Sequence, residues 1–434
     1  MLHIRPPKPS LAAFGAIWAG QICSLIGSST AQFALVWWLT KFTGSATVLA
    51  TATIAAIVPG IALGPIAGAY VDRWSRRLVM IAADGAGALS ALWLAYLFWS
   101  DSLQVWHVYI VMLVRSLAGS FHWPAMQAST SLMVPKEHLT RVAGLNQTMH
   151  GLMDIVSPPL GALLVGLLPL HDIMLIDVGT AMMAILPLLF VYVPQPVDHL
   201  RPSDATGKRP SVWADLLAGL RYVRGWRGLQ WLIAMAMIIN FLLTPGGSLL
   251  PLLVTHHFRG EAIQLASLNS AWGIGVVLGG LFLGVWGGFR KRIHTSMMGL
   301  SLMGFGFFAI GIAPATAFWL AVVANFVAGF MNPITNGPIF AVMQVAVAPE
   351  MQGRVFTLMS SLCMAMSPLG LAVAGPLADR IGVQPWFMMG GAFCILMGTA
   401  SFFVPAIARL EDACERHGAL DGSQIPPRAE TATA

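Results

Sequence analysis

The chain has 434 residues, of which 57% are hydrophobic and only 10% are charged, and its mean hydropathy is +0.74. Soluble globular chains carry roughly 45–50% apolar and about 25% charged residues, so this composition excludes that class and indicates a polytopic membrane protein. The net charge of +6 fits contact with anionic membrane lipids, and no nucleic-acid partner is needed to explain it.

Apolar blocks long enough to cross a hydrocarbon core of ~30 Å recur along the whole chain. They predict an all-α membrane protein with twelve transmembrane helices in two sets of six. The first set is predicted at residues 12–39, 48–69, 78–99, 104–131, 143–168 and 173–194. The second set is predicted at residues 228–255, 264–287, 293–313, 316–346, 355–377 and 384–405.

These spans divide the chain into five parts. A cytoplasmic N-terminus (1–11) precedes an N-terminal six-helix bundle (12–194), and a C-terminal bundle (228–405) precedes a polar cytoplasmic tail (406–434). The linker between the bundles, 195–227, begins with a segment rich in Pro, Ser and Gly. Its second part, "SVWADLLAGLRYV", has apolar residues at helical spacing, which predicts an amphipathic helix at the cytoplasmic interface.

The distribution of Lys and Arg predicts the orientation, because these residues accumulate in cytoplasmic connections. With a cytoplasmic N-terminus, 20 of the 24 Lys and Arg face the cytoplasm, three face the other side and Arg115 lies within a span. We therefore expect a multi-pass protein of the cell (inner) membrane with both termini cytoplasmic. The first apolar run is too long for a cleaved signal peptide. The four cysteines show no disulfide or metal-binding spacing, and we expect no metal and no cofactor.

The two sets of spans resemble each other. Displaced by 214 residues, "PAMQASTSLMVP" aligns with "PIFAVMQVAVAP" in length and in both prolines. Displaced by 216 residues, the connection after the second span of each set also aligns. Parallel six-helix repeats are a transporter architecture in which the substrate site lies at the interface between the repeats.

The stretch "GAYVDRWSRR", between spans two and three, resembles the cytoplasmic signature G-x-L-a-D-r-x-G-r-k of the major facilitator superfamily. Other stretches, such as "PEMQGRV" and "PLGLAVAGPLADRIG", are similar to twelve-span drug:proton antiporters that include macrolide exporters. The resemblance covers about residues 12–405 and implies the major facilitator fold. The residues that match the signature are Gly68, Asp72, Arg73, Arg76 and Arg77.

This resemblance implies a cytoplasmic gate in which Asp72 accepts hydrogen bonds from the N-terminus of span eleven, the positive end of that helix dipole. We assign Asp84, about 9 Å along span three, to the same gate, the alternative being a simple interfacial role. Gly64 and Gly68 are spaced to let span two approach a neighbouring helix closely. The simpler alternative is that the charges only fix the topology.

Ionisable groups at bilayer depth usually have a function, because each costs ~2.5–3.5 kcal/mol on insertion scales. Arg115 matches the R-x-x-x-G pattern of span four, which implies proton coupling or substrate contact; the alternative is a structural partner for a fixed acid. Asp177, one turn into span six, is expected to have an interfacial structural role.

Asp154 lies near the middle of span five, on one helix face with His150. We predict that Asp154 loads and unloads the coupling proton with the help of His150, the alternative being a hydrogen-bonded structural stripe. The neighbouring "SPPLGA" resembles the antiporter signature G-P-x-x-G-G through Ser157, Pro158 and Gly161.

Polar stripes also follow single faces of spans one, seven and ten, which line the central cavity in the superfamily. Each of these side chains could instead join neighbouring helices. The candidate cavity residues are Gln21, Ser28, Gln32, Asn240, Asn325, Asn332 and Asn336.

The sequence contains no nucleotide-binding loop and no hydrolase motif, so an enzyme is not expected and export must draw on an ion gradient. Our leading hypothesis is a monomeric secondary transporter that expels small amphipathic, macrolide-like compounds in exchange for protons by alternating access. One alternative keeps the fold but exports a siderophore, a lipid or an endogenous metabolite. Another is a membrane receptor that binds its ligand without translocating it.

Overall fold

The computed structural model describes residues 11–71, 73–194, 219–347 and 349–403. The described residues form twelve long α-helices, and a π-helical turn, Leu253–His257, extends the seventh. The helices are α1 (Leu11–Thr43), α2 (Ala46–Val71), α3 (Arg76–Trp99), α4 (Val105–Met133), α5 (Leu139–Leu167), α6 (Leu170–Phe190), α7 (Arg227–Leu252), α8 (Ala262–Trp286), α9 (Arg292–Ile312), α10 (Phe318–Ala346), α11 (Pro349–Ile381) and α12 (Gln384–Phe403).

The predicted all-helical membrane fold is confirmed. Each predicted span coincides with one helix to within six residues at either end. Ten of the twelve helices are long and apolar enough to cross a membrane, and α4 and α12 are the two that do not meet this criterion. The N-terminus, the first part of the linker and the polar tail lie outside the described residues. Of the predicted amphipathic helix, only the part from residue 219 is described, and residues 219–224 are helical.

Helix packing repeats between the two halves of the chain. In the N-terminal half α1 packs on α5 and α6, α3 packs on α4 and α6, and α2 packs on α4. The corresponding pairs recur in the C-terminal half, where α7 packs on α11 and α12, α9 on α10 and α12, and α8 on α10. The halves meet through α2 with α11 and α5 with α8, two pairs that the repeat relates to each other.

The two ends of the bundle differ in how tightly the halves are joined. We call the end that holds residues 43–46 the α1–α2 end, and the end that holds residues 73–75 the α2–α3 end. At the α1–α2 end, one cluster of buried apolar side chains includes residues of both halves, such as Leu39 and Leu253. At the α2–α3 end, the described residues form two separate buried clusters, one in each half. The molecule is therefore closed at the α1–α2 end.

A carboxylate links the two halves at the α1–α2 end. Asp379, in the last turn of α11, accepts hydrogen bonds from the backbone N–H groups of Ala46 and Thr47 and from the hydroxyl groups of Ser45 and Thr47. Ser45 precedes α2 and the other donors belong to its first turn, where the helix dipole favours an anion. Gly375 lets the helices meet, since a Cβ atom there would lie 3.0 Å from the Cα atom of Thr47.

We predict that Asp379→Ala weakens closure of the α1–α2 end, because it removes both the negative charge and the acceptors for the first turn of α2. Losing such a helix cap costs about 1 kcal/mol, so the closed population should fall roughly fivefold relative to the open one. Ser102 and Thr316 are exposed at this end on opposite halves. The distance between spin labels at these two positions reports whether the end is closed. Arg380→Ala, one residue further along, is the control, and an unchanged distance distribution in Asp379→Ala would contradict the assignment.

Candidate functional site

The predicted gate residues lie at the α2–α3 end. Asp72 is outside the described residues. Arg76 donates a hydrogen bond to the carbonyl oxygen of Ala128 on α4 (2.7 Å), and Arg77 donates to two carbonyl oxygens at the C-terminus of α6. Cations are favoured at that end of a helix dipole. Ser75, which replaces the usual glycine of the signature, caps α3 by accepting a hydrogen bond from the backbone N–H of its first turn (3.5 Å).

Two expectations for this end are wrong in the conformation seen here. Among the described residues, no atom lies within 4 Å of a Cβ atom placed on Gly64 or Gly68, so these glycines make no close helix contact. Asp84 does not join the arginines but lies inside the N-terminal half. Gly64 and Gly68 have no close neighbour because the two halves are separate at this end. Arg73 is exposed there.

Asp84 faces α1 and α4. Its carboxylate accepts a hydrogen bond from the side-chain amide of Gln21 on α1 (2.8 Å). It also lies 3.3 Å from Nε2 of His122 on α4, which is ion-pair distance if the ring is protonated. The Asp84 side chain is 10% exposed and that of His122 is 20% exposed, so the pair is largely removed from solvent.

A second acid lies on the same side of α1. Asp177 forms an ion pair with Arg115, and its side chain is only 3% exposed. The hydroxyl group of Ser28 also donates to Asp177 (2.8 Å), and Nε of Arg115 donates to the hydroxyl oxygen of Ser90 (3.4 Å). Asp177 is therefore a deeply buried partner of Arg115, so the interfacial position expected for it is wrong, whereas the structural role expected for it stays a prediction.

These two groups share one cavity of about 370 Å³ inside the N-terminal half, which we call the N cavity. His122 was missed in the sequence, although it lies within a span and seven residues from Arg115, a spacing that puts both on one face of α4. The N cavity is lined by residues that include Trp18, Gln21, Ser24, Ser28, Asp84, Arg115, His122, Asn146 and Asp177.

Asp154 lies in a different place, between the two halves. It lines a cavity of about 500 Å³, the central cavity, together with Gln32 of α1 and with Ser157 and Pro158 of α5. Helix α8 passes close by, since a Cβ atom on Gly273 would lie 3.2 Å from the carbonyl oxygen of Asp154. Asp154 is an exposed residue.

Gly161 and His150 of α5 were also predicted to take part in antiport, and the structure describes the surroundings of only one of them. Gly161 lets α1 and α5 meet, because a Cβ atom there would lie 2.8 Å from the ring of Phe33. The side chain of His150 lies outside what the structure describes. The predicted contribution of His150 to proton transfer therefore stays a prediction.

The C-terminal half encloses the largest of these three cavities, about 660 Å³, which we call the C cavity. Among the described residues, its lining contains no acidic and no basic side chain. Methionine and phenylalanine side chains form much of the wall. Five amides line it: Asn240, Asn269, Asn325, Asn332 and Asn336.

The asparagines that line the C cavity differ in what they do. Asn325 is buried and donates to the carbonyl oxygen of Leu268 on α8 (2.8 Å), so it joins two helices. Asn269 and Trp272 line both the C cavity and the central cavity, and they therefore connect the two. Asn269 was missed because a single amide on α8 forms no polar stripe in the sequence.

The two halves share a fold but differ in chemistry. The N cavity holds two carboxylates, an arginine and a histidine, whereas the C cavity offers uncharged hydrogen-bonding and apolar surface. Within the described ranges, no group of three His, Cys, Asp or Glu side chains is placed to hold a metal ion. One half thus presents charged side chains to its cavity, and the other half presents an uncharged surface.

Solved structures with a similar fold are membrane transporters. The nucleoside transporter NupG superposes with a TM-score of 0.67 at 12% sequence identity, covering 90% of this chain and 98% of that one. A POT family transporter in complex with 5-aminolevulinic acid superposes with a TM-score of 0.66 at 11% identity, covering 92% and 98%. At these identities the likeness shows the fold alone.

Curated relatives are more similar in sequence. Macrolide efflux protein A of Streptococcus pyogenes is 34% identical over 398 residues, which is 92% of this chain and 97% of that protein. The multidrug efflux pump Tap of Mycolicibacterium fortuitum is 28% identical over 413 residues, 92% of this chain and 96% of that one. The profile of the Major Facilitator Superfamily matches residues 17–371, and the chain belongs to this superfamily of transporters.

Proposed function

We propose that the protein exports amphipathic, drug-like compounds of the macrolide type from the cytoplasm in exchange for protons, by alternating access. The observation that carries this proposal is the 34% identity, over nearly the whole length of both chains, to a macrolide efflux protein. The chain is a drug efflux transporter and not an enzyme. The proton as coupling ion, the substrate type and the monomeric state are proposed.

The C cavity suits the proposed substrate. Ligand pockets have volumes of roughly 300–1,000 Å³ and combine apolar walls with a few polar groups, and the C cavity, at about 660 Å³, has both features. Met side chains are flexible and polarizable, which lets one surface accept several bulky ligands. Because Asn269 and Trp272 line both cavities, a large substrate could extend from the C cavity into the central cavity.

The closed α1–α2 end supports alternating access. The excess of Lys and Arg assigns the α2–α3 end to the cytoplasm, with both termini on that side. The conformation is then open towards the cytoplasm, ready to take up substrate. In the opposite conformation, Asp72 would cap the N-terminus of α11, as Asp379 caps the N-terminus of α2 in this one. The two six-helix bundles and the linker 195–227 are the units we propose to move.

Asp154 is our candidate for proton coupling in the central cavity. It lines the space between the halves, beside α8, where a change in helix packing alters its access to water. A carboxylate that releases its proton on one side and binds it on the other couples the gradient to transport. Arg115, in contrast, is paired with Asp177, so its part in coupling would be indirect.

The proposal is tested with purified protein in liposomes that contain a pH-sensitive dye, with erythromycin as the probe. Proton flux driven by erythromycin, together with its accumulation against a concentration gradient, supports drug:proton exchange. Flux with a siderophore, a lipid or a metabolite but not with erythromycin supports the alternative cargo. Binding of erythromycin with no flux of either partner would overturn the transport proposal in favour of a receptor.

We predict that Asp154→Asn abolishes proton flux driven by erythromycin while leaving the amount of protein unchanged. One proton moved across 100 mV supplies ~2.3 kcal/mol, so the accumulation ratio of the drug should fall by up to about 50-fold at that potential. Asp172→Asn, in the first turn of α6, is the matched control. Undiminished accumulation by Asp154→Asn would show that another group carries the coupling proton.

We further predict that Asn269→Leu weakens erythromycin binding, since it removes a hydrogen-bonding side chain at the junction of the two cavities. One lost hydrogen bond of ~0.5–1.5 kcal/mol corresponds to roughly a twofold to tenfold increase in Kd. Ser267→Ala is the control, because this hydroxyl bonds to the carbonyl oxygen of Ile263 in its own helix. Equal Kd values for Asn269→Leu and Ser267→Ala would remove Asn269 from the binding site. Fluorescence titration gives both constants.

A further inference from the structure

Among the described residues, the charges that line the N cavity do not balance without an additional proton. Arg115 and Asp177 form an ion pair and neutralise each other. Asp84 remains, and its described partners are the uncharged amide of Gln21 and the ring of His122. The other helices that line the cavity contribute no further acidic or basic side chain among the described residues, and α5 contributes the uncharged Asn146 and Met149.

Asp84 also lies deep enough in the membrane for an unbalanced charge to be unfavourable. It lies eight residues from Arg76 at the start of α3, or about 12 Å at 1.5 Å per residue. An uncompensated carboxylate at bilayer depth is unfavourable, because the surrounding medium solvates the charge poorly. Neutrality requires one proton, either on Nε2 of His122, which then forms an ion pair with Asp84, or on the Asp84 carboxyl group beside a neutral imidazole.

We propose that the Asp84–His122 pair binds a second exchangeable proton, in addition to the one proposed for Asp154. The inference rests on the proposed drug:proton exchange and assigns it a further site. Loss of this proton leaves the N cavity with a net charge of −1, whichever of the two residues carried it. The released proton goes to water in the cavity and from there to bulk solvent.

One face of α1 connects this pair to the central cavity. Gln21 bonds to Asp84, Ser28 bonds to Asp177, and Gln32 lines the central cavity with Asp154. These α1 residues are spaced by seven and four positions and so lie on one side of the helix. A shift of α1 on substrate binding changes the hydrogen bonds that the two acids receive, and the affinity of the Asp84–His122 pair for its proton changes with them.

The test counts the protons released when erythromycin binds to the purified full-length protein in weakly buffered solution. At the pH where release is greatest, we expect the count to approach two per erythromycin bound, one from Asp154 and one from the Asp84–His122 pair. Asp84→Asn should lower it by one, because this variant removes the charge that the proton balances, and His122→Gln should lower it by one where Nε2 holds the proton. His171→Gln is the matched control, because His171 and Asp172 form a partly exposed His–Asp pair (3.5 Å) outside the cavity.

The outcomes separate this inference from the proposed function. A count of two that falls to one in Asp84→Asn or His122→Gln supports the second site. A count that Asp84→Asn and His122→Gln both leave unchanged overturns it, whether the unmodified protein releases one proton or two. Binding with no proton release at all overturns the proposed exchange itself. Because the count is expressed per erythromycin bound, each variant is measured at an erythromycin concentration that saturates it.

Discussion

The interior of a membrane does not tolerate an unpaired charge, and this constraint organises the protein. In the N-terminal half, Asp177 is paired with Arg115, Asp84 accepts a hydrogen bond from the amide of Gln21, and Arg76 donates to a backbone carbonyl oxygen on α4. Arg115 and Asp177 form the most deeply buried pair, and Ser28 completes the bonding of the acid. The C cavity needs no such pairing, since its described lining carries no charge. In the proposed function, the repeat would provide one fold for two tasks, proton binding and accommodation of a bulky ligand.

The same electrostatic principle acts at the helix ends. Helices α2 and α11 run antiparallel, and Asp379 at the end of α11 caps the start of α2. The residues around it, "GPLADRIG" at 375–382, match the G-x-L-a-D-r-x-G pattern that Asp72 carries at the other end of α2. Two carboxylates at opposite ends of one helix pair would stabilise opposite conformations of the carrier, each by capping its partner helix. This symmetry makes the acid, more than the arginines, the informative residue of the signature.

Much of the fold could be predicted because membrane spans are determined locally, by a run of apolar residues of the required length. The twelve helices and their division into two similar sets follow from that. Polar stripes were also informative: all four predicted asparagines of spans seven and ten line the C cavity, while Gln21 and Ser28 line a different cavity from the one expected. Which acid meets which base could not be predicted, because it depends on how the helices rotate against each other. Asp84, placed near the arginines by its distance along the helix, instead faces His122, and Asp177 faces Arg115.

The central claim is that a proton gradient alone drives drug export. The most direct measurement records erythromycin accumulation and internal pH together in liposomes that contain only this protein, with the membrane potential clamped. An imposed pH gradient of the correct sign should concentrate erythromycin, with protons moving in the opposite direction, and reversing the gradient should reverse the drug flux. Erythromycin accumulation that does not change with the sign of the pH gradient, or that depends on a different ion, would contradict the account.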